Sequence, residues 1–400
     1  MPVGSCGRRT VTHFVRAGIR GDIDSSSSDP DRSSSVEPSS RTEASLARGR
    51  MMAPGVLALL ALAAVARAVA SVVPVASELV VAVALGILAA NVVGVPARFE
   101  PGVRTHTTWL ELGIVLMGAR VSLSTLLSTG PTLAVLVVGV AGLTLVLVEA
   151  LGRFVFGVDR QLGSLLAAGA SVCGVSAAVA VAGTIRATQV QVAFAAGTIL
   201  LFDVVTLFAY PVVGGVLGLE DRVFGVWAGL TMFSTGPVTA AGFAFSDAAG
   251  QWATVTKLTR NLLLGVLVGA YSVWYANRGS DGPVDADRDG RRDDDDPDAD
   301  DASTLSAFSP RRLWDAFPKF VLGFFAVVVL TSSALVSDAA TAQLTNAYRW
   351  LFLLAFAGLG LSVDVADLRD TGAAPIALLL TALVTTSVVA LVAVRCLLGA

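Results

Sequence analysis

From Pro54 to the end of the chain, long apolar runs alternate with short polar stretches. The runs lie near 55–70, 73–94, 105–121, 131–150, 162–183, 191–217, 223–246, 254–276, 316–336, 346–362 and 373–397. Most approach the roughly 20 residues that an α-helix needs to cross a bilayer. Hydrocarbon leaves no water for backbone groups, so such runs form helices that satisfy themselves. The pattern predicts an all-α polytopic membrane protein with about 10–11 transmembrane helices, the first short enough to lie at the surface.

The pattern also divides the chain. Residues 1–51 are rich in serine and arginine, have no continuous apolar run, and are expected to be a disordered tail. Residues 52–276 hold helices 1–8, 277–312 an acidic cytoplasmic loop, and 313–400 helices 9–11. In the tail, Arg8-Arg9 and Cys6 resemble targeting and lipidation signals, but the apolar segment that such signals need is missing. Met51-Met52, just ahead of the first run, is an alternative translation start.

Composition agrees: the chain is 54% hydrophobic and 15% charged, with a mean hydropathy of +0.73. A soluble domain is excluded by such values; the net charge of −3 decides nothing about partners, and no nucleic acid is expected among them. Arginine placement predicts orientation. With a cytoplasmic N-terminus, the inner connections hold Arg98, Arg104, Arg153, Arg160, Arg222, Arg278, Arg288, Arg291, Arg292, Arg311, Arg312 and Arg369, and the outer side keeps little beyond Arg186 and Arg349. The expectation is a multi-pass plasma-membrane protein, N-in and C-out. The cysteines, Cys6, Cys173 and Cys396, are too scattered for a disulfide framework or a zinc site.

A short echo links Gly118–Gly130 (GARVSLSTLLSTG) to Gly360–Gly372 (GLSVDVADLRDTG). Seven helix steps separate the copies, so they face opposite sides, as inverted repeats of secondary transporters do.

One run is unusual in its middle. Between Gly163 and Arg186, the residues Gly169, Ser171, Cys173, Gly174 and Ser176 crowd together. Small side chains expose backbone, and glycine relaxes the helix. Two readings follow: a broken helix that aims free N–H groups at an anion, or a smooth helix that packs small residues on a neighbour. Gly229–Gly242 (GLTMFSTGPVTAAG) is a second candidate break, with Gly236-Pro237 at the interruption and Ser234, Thr235 and Thr239 as hydroxyls.

Charges inside apolar helices are costly and therefore mark function. Asp203 stands mid-run and is a candidate for a coupling proton or sodium ion, or for a structural pair. Lys257 and Arg260, three residues apart on one helix face, suit an oxyanion, or else snorkel to an interface. Glu78, Glu111, Arg120 and Glu149 lie nearer helix ends. In the acidic loop, Asp285, Asp287, Asp289, Gly290 and Asp296 approach calcium-loop spacing, but a solvated linker is the favoured reading, because no helices are evident around the loop and Asp296 replaces the usual glutamate. The sequence holds no phosphate loop, HExxH or GxSxG. No enzyme, catalytic residue, metal site or cofactor is expected.

The segments LLAAGASVCGVSAAVAV, VWAG, ATVTKLTRNLLL, FPKFVLGF and LAFAGLGLSVDVADLRDTG resemble, in that order, signature regions of the YeiH family of proposed sulfate exporters. The resemblance covers roughly residues 52–398. It implies an inverted-repeat secondary transporter, related in architecture to cation/proton antiporters and bile-acid symporters, with an inorganic sulfur oxyanion as substrate. Lys257 and Arg260 match the family's basic pair. Two departures stand out: Phe233 and Ser234 replace the family's His-acidic pair, and Asp203 replaces a small residue.

The resulting expectation is a carrier that exports a small inorganic anion such as sulfate or sulfite. Gly169, Ser171, Cys173, Gly174, Ser176, Lys257 and Arg260 would bind it, and Asp203 would carry the coupling ion. Its partners are the anion, a proton or sodium ion and the lipid bilayer; a homo-oligomer is compatible with this. The other reading is an anion-binding membrane sensor or channel-like subunit without coupled transport.

Overall fold

The structure is a computed structural model that describes residues 38–72, 77–279, 319–333, 336–363 and 372–398. Residues 1–37, the acidic segment after 279, and most of the second copy of the echo (364–371) lie outside the described residues. Among the described residues all regular structure is helical. The protein is an all-helical membrane protein.

The helices are α1 (Pro38–Val72), α2 (Glu78–Val92), α3 (Glu100–Val103), α4 (His106–Met117), α5 (Leu123–Phe154), α6 (Arg160–Ser171), α7 (Val175–Ala182), α8 (Gln189–Val216), α9 (Asp221–Thr231), α10 (Thr235–Phe245), α11 (Asp247–Asn261), α12 (Leu264–Gly279), α13 (Phe320–Ser332), α14 (Asp338–Leu361) and α15 (Ala373–Leu398). Helix α1 begins at Pro38, inside the tail expected to lack regular structure. Five stretches are long and apolar enough to cross a membrane: Arg50–Val72, Leu126–Phe154, Gln189–Val216, Ala339–Leu361 and Ala373–Leu398. The remaining apolar runs are built from shorter helices.

The chain divides into two compact units, Met1–Leu110 with Trp350–Asp370, and Glu111–Arg349 with Thr371–Ala400. In the first, glycines set the spacing. A Cβ on Gly86 would lie 2.5 Å from the Ala357 carbonyl, and one on Gly360 would overlap the Val83 carbonyl. Helix α2 and the end of α14 therefore touch backbone to backbone, which only small residues permit. Asn91 Nδ2 fastens this pair by donating to Val363 O at 2.9 Å. Gly360→Val is expected to force the two helices apart. The overpacking costs about 1–3 kcal/mol or more, and it would show as a lowered unfolding midpoint in detergent.

The second unit is organised around α8. Its buried face, including Ala195, Ile199, Asp203, Thr206 and Tyr210, follows helical spacing. The opposite face, with Val205, Phe208, Val212 and Val216, is apolar and exposed, as a lipid-facing surface requires. The Thr198 and Thr206 hydroxyls donate to the carbonyls of Phe194 and Phe202, four residues back, so their burial leaves no polar atom unpaired.

Two of the apolar runs expected to cross instead turn back. Gln191, at the start of α8, donates through Nε2 to Asp159 Oδ2 at 2.6 Å and Gln161 Oε1 at 3.0 Å, at the start of α6. Further along both, a Cβ on Gly169 would overlap the Ile199 side chain, so α6 and α8 run parallel. Helix α7 must therefore return the chain to where α6 began: α6–α7 is a hairpin. Helices α9 and α10 form another, because Phe224, near the start of α9, stacks on Phe245, at the end of α10, with ring centroids 4.0 Å apart. Collinear helices of that length would hold these rings roughly 30 Å apart.

The hairpins enter from opposite ends of the unit. This relocates two arginines. Arg186 lies at the end holding Arg153 and Arg160, and Arg222 lies at the opposite end, because each hairpin starts and finishes on one side.

Candidate functional site

The hairpin tips are Val172–Gly174 and Met232–Ser234. At the first, α6 stops at Ser171, and Gly174 has φ 70° and ψ −136°, a conformation essentially reserved for glycine. A Cβ on Gly174 would overlap Ser234 Oγ, so the tips meet in direct contact. At the second, Met232 and Ser234 are extended, with ψ 151° at both. The break therefore precedes Gly236-Pro237. Pro237 sits in the first turn of α10, where its missing N–H breaks no helical bond.

Helix α11 carries the residues that organise the tips. It runs antiparallel to α10, with Thr254 Oγ1 donating to Thr239 Oγ1 at 3.1 Å. It runs parallel to α9, and Thr256 packs on Gly229. This brings Lys257 and Arg260 level with both tips. Each is 0% exposed, so neither snorkels to an interface. Lys257 Nζ donates to Val172 O at 2.7 Å, Met232 O at 3.0 Å, and Phe233 O. Arg260 donates from Nε to Ser171 O at 2.6 Å, from Nη1 to Met232 O at 3.0 Å, and from Nη2 to Ala170 O.

The physical reason lies in the helix ends. Helices α6 and α9 both finish at the tips, and each ends in carbonyls without intrahelical partners and a partial negative charge. Two such ends buried together repel and leave acceptors unmet. Lys257 and Arg260 supply the donors and the opposing charge, and each bridges both hairpins.

Asp203 makes the converse contact. It is 2% exposed, and its Oδ1 accepts from the Ser234 N–H at 3.0 Å, at the positive start of α10. Its Oδ2 is buried without a partner. Thr256 Oγ1 and Asn261 Oδ1, directly beside the two cations in the sequence, are likewise buried and unpaired. Asn261 Nδ2 donates to Thr235 Oγ1 at 3.1 Å.

The structure thus gathers the tip residues, Asp203, Lys257 and Arg260 in one place. Gly169 lies under Ile199, one turn before the tip. Ser171 is buried and spends its hydroxyl on Ala168 O at 3.2 Å. Cys173 is a half-buried free thiol, and Ser176 is exposed. Gly174 has no side chain to cap α7, and the Cys173 sulfur faces the Ala177 N–H in its first turn. Beyond α11, Leu262–Leu263 interrupts the helix, and α12 carries Tyr271 to Glu149 at 2.7 Å. Glu149 also accepts from Ser164 Oγ at 2.6 Å and pairs with Arg153 at 2.6 Å, which ties α5, α6 and α12 together at the Asp159 end.

Sequence reasoning missed the outer brace of the second hairpin. Tyr210 stacks on Trp227 with centroids 4.3 Å apart and bonds Thr231 at 3.1 Å and Ser387 at 2.6 Å. Trp227 Nε1 donates to Ser387 O at 2.9 Å. Nothing local in the sequence links residues so far apart.

The chain is similar in sequence to proteins described as membrane proteins. The family model described as Conserved hypothetical protein 698 matches residues 54–379. A UPF0324 membrane protein of Nitratidesulfovibrio vulgaris is 32% identical over 297 residues, covering 74% of this chain and 77% of the relative. One from Bartonella henselae is 30% identical over 296 residues, with the same coverage. The UPF0324 membrane protein TauZ of Paracoccus pantotrophus is 30% identical over 287 residues, covering 71% and 77%. No solved structure matches the chain.

Proposed function

The chain belongs to the YeiH family, described as Conserved hypothetical protein 698, and we propose that it is a secondary transporter exporting a small inorganic anion, such as sulfate or sulfite, across the plasma membrane, driven by an ion gradient. One observation carries this reading: two opposed hairpins meet halfway along α8 around two buried cations and one buried carboxylate. Interrupted helices inside a membrane protein are tolerated where they line a binding cavity.

The charges favour an anion. Lys257 and Arg260 are paired with carbonyl dipoles, and Asp203 contributes a single negative charge beside them. Net positive charge therefore remains at the tips, next to the start of α7, whose first N–H groups suit an oxyanion. In this reading the Gly169–Ser176 stretch and the N–H groups after Gly174 hold the solute, the two cations hold the tips and set the field, and Asp203 carries the coupling ion. Because the tips enter from opposite ends, withdrawing one hairpin opens the meeting place to one side only, which alternating access requires. The reading involves no chemical conversion, cofactor or nucleic acid.

Proteoliposomes loaded with labelled sulfate, sulfite or small carboxylates test it. A sulfur oxyanion is expected to accumulate against its gradient and to stop when the ion gradient is collapsed. Flux that ignores the gradient would point to a channel-like subunit, and preference for carboxylates would overturn the substrate.

A further inference from the structure

We propose that the coupling ion is a proton carried by Asp203, not a sodium ion, and that it travels in the same direction as the anion. This inference rests on the transport reading above and deepens it.

A sodium site in a broken-helix transporter is built from unwound carbonyls and helix C-terminal ends. Here those groups are already taken. Ala170, Ser171, Val172, Met232 and Phe233 each give their carbonyl to Lys257 or Arg260. A second cation among them would displace a built-in one. Thr256 Oγ1 and Asn261 Oδ1 remain unpaired, but they flank those same two positive side chains on α11, where a metal cation is repelled.

Asp203 Oδ2 is different. It is a buried oxygen without a hydrogen bond of its own, on a carboxylate that the Ser234 N–H and hydroxyl approach at its other end. One proton satisfies it; an oxygen cage for a metal is not assembled there. The charged group facing Asp203 is Lys257 from α11, with the Ser234 hydroxyl and N–H of the second tip beside it, and Arg260 and the Cys173 thiol face Lys257 in turn. From the other elements packed on α8, Arg160 and Arg395 stand at the ends of α6 and α15, and α7 and α10 carry no charge.

The direction of coupling follows from charge. Ionised, Asp203 occupies the positive start of α10 and repels an incoming anion. Protonated, it removes that negative charge, so proton and anion load together. A divalent anion with one proton carries one net negative charge, so the inside-negative potential is the part of the ion gradient that drives it outward, and a pH gradient that is alkaline inside opposes it.

Infrared titration of the purified protein in lipid reads the carboxyl directly, without depending on which anion is carried. On acidification, a protonated-carboxyl band is expected in the wild type and in Asp203→Glu, and its loss in Asp203→Asn. Adding sodium should leave the midpoint in place. A sodium-induced shift of that midpoint, or a spectrum unchanged by Asp203→Asn, overturns the proposal. The flux arm then separates the two readings. Asp203→Asn should lower pH-gradient-driven accumulation by at least about tenfold, within the range of coupling between two ligands, and Asp203→Glu should restore the pH dependence. A titrating carboxyl with no coupled flux in the wild type would leave the proton site standing and remove the transporter reading. Accumulation driven by sodium alone would remove the proton assignment.

Discussion

Arg260→Ala is expected to destabilise the protein by roughly 3–5 kcal/mol, the scale of deleting one partner of a buried charged contact. Three main-chain carbonyls lose a donor at once: Ala170 O, Ser171 O and Met232 O. Each buried acceptor left unmet costs about 1–3 kcal/mol, and Lys257 retains a share only of Met232. The negative ends of α6 and α9 would then face each other with one cation between them. Arg222→Ala is the informative comparison. Arg222 bonds Thr129 at 3.1 Å and lies over Trp252 at 5.0 Å, outside the tips. Its loss should cost less than about 2 kcal/mol. Unfolding midpoints in detergent, together with sulfite or sulfate binding, distinguish the two. Equal losses would sink the idea that Arg260 joins the hairpins. Arg260→Lys should recover little, because an ammonium cannot reproduce the fork that reaches three carbonyls.

Gly174→Ala should be nearly as damaging, for a different reason. Its φ of 70° with ψ −136° costs a non-glycine residue about 1–3 kcal/mol. The new methyl also overlaps Ser234 Oγ, so the tips cannot close. Anion exchange in proteoliposomes is expected to fall to background, with a lowered unfolding midpoint. Ser234→Gly in the same chain removes the steric part and leaves the backbone part. The double variant should therefore recover a fraction of exchange, and no recovery at all would mean that the tips do not touch in the working protein.

The candidate site was legible in pieces. Gly169, Cys173 and Gly174 announced a break by their size, and the break lies within one residue of Cys173. Asp203, Lys257 and Arg260 announced themselves as charges in apolar runs, where solvation is too costly for accident. What these charges touch was not legible. Lys257 and Arg260 looked like free anion ligands because the sequence does not reveal that their nearest acceptors are carbonyls more than twenty residues away. Gly236-Pro237 looked like the second interruption because proline breaks helix interiors, yet in a first turn it breaks nothing.

The sequence alone determined that this protein is a helical membrane body, because apolar runs of this length have no other stable form in lipid. It also determined which positions are chemically unusual, since small and charged residues stand out against leucine, valine and alanine. Whether a run crosses or folds back was decided only in three dimensions. Hydropathy reports the cost of leaving water, which is the same for a helix going through and for two half-helices returning. The difference lies in Gln191 meeting Asp159 and Phe224 meeting Phe245, contacts between residues whose separation along the chain carries no local signal.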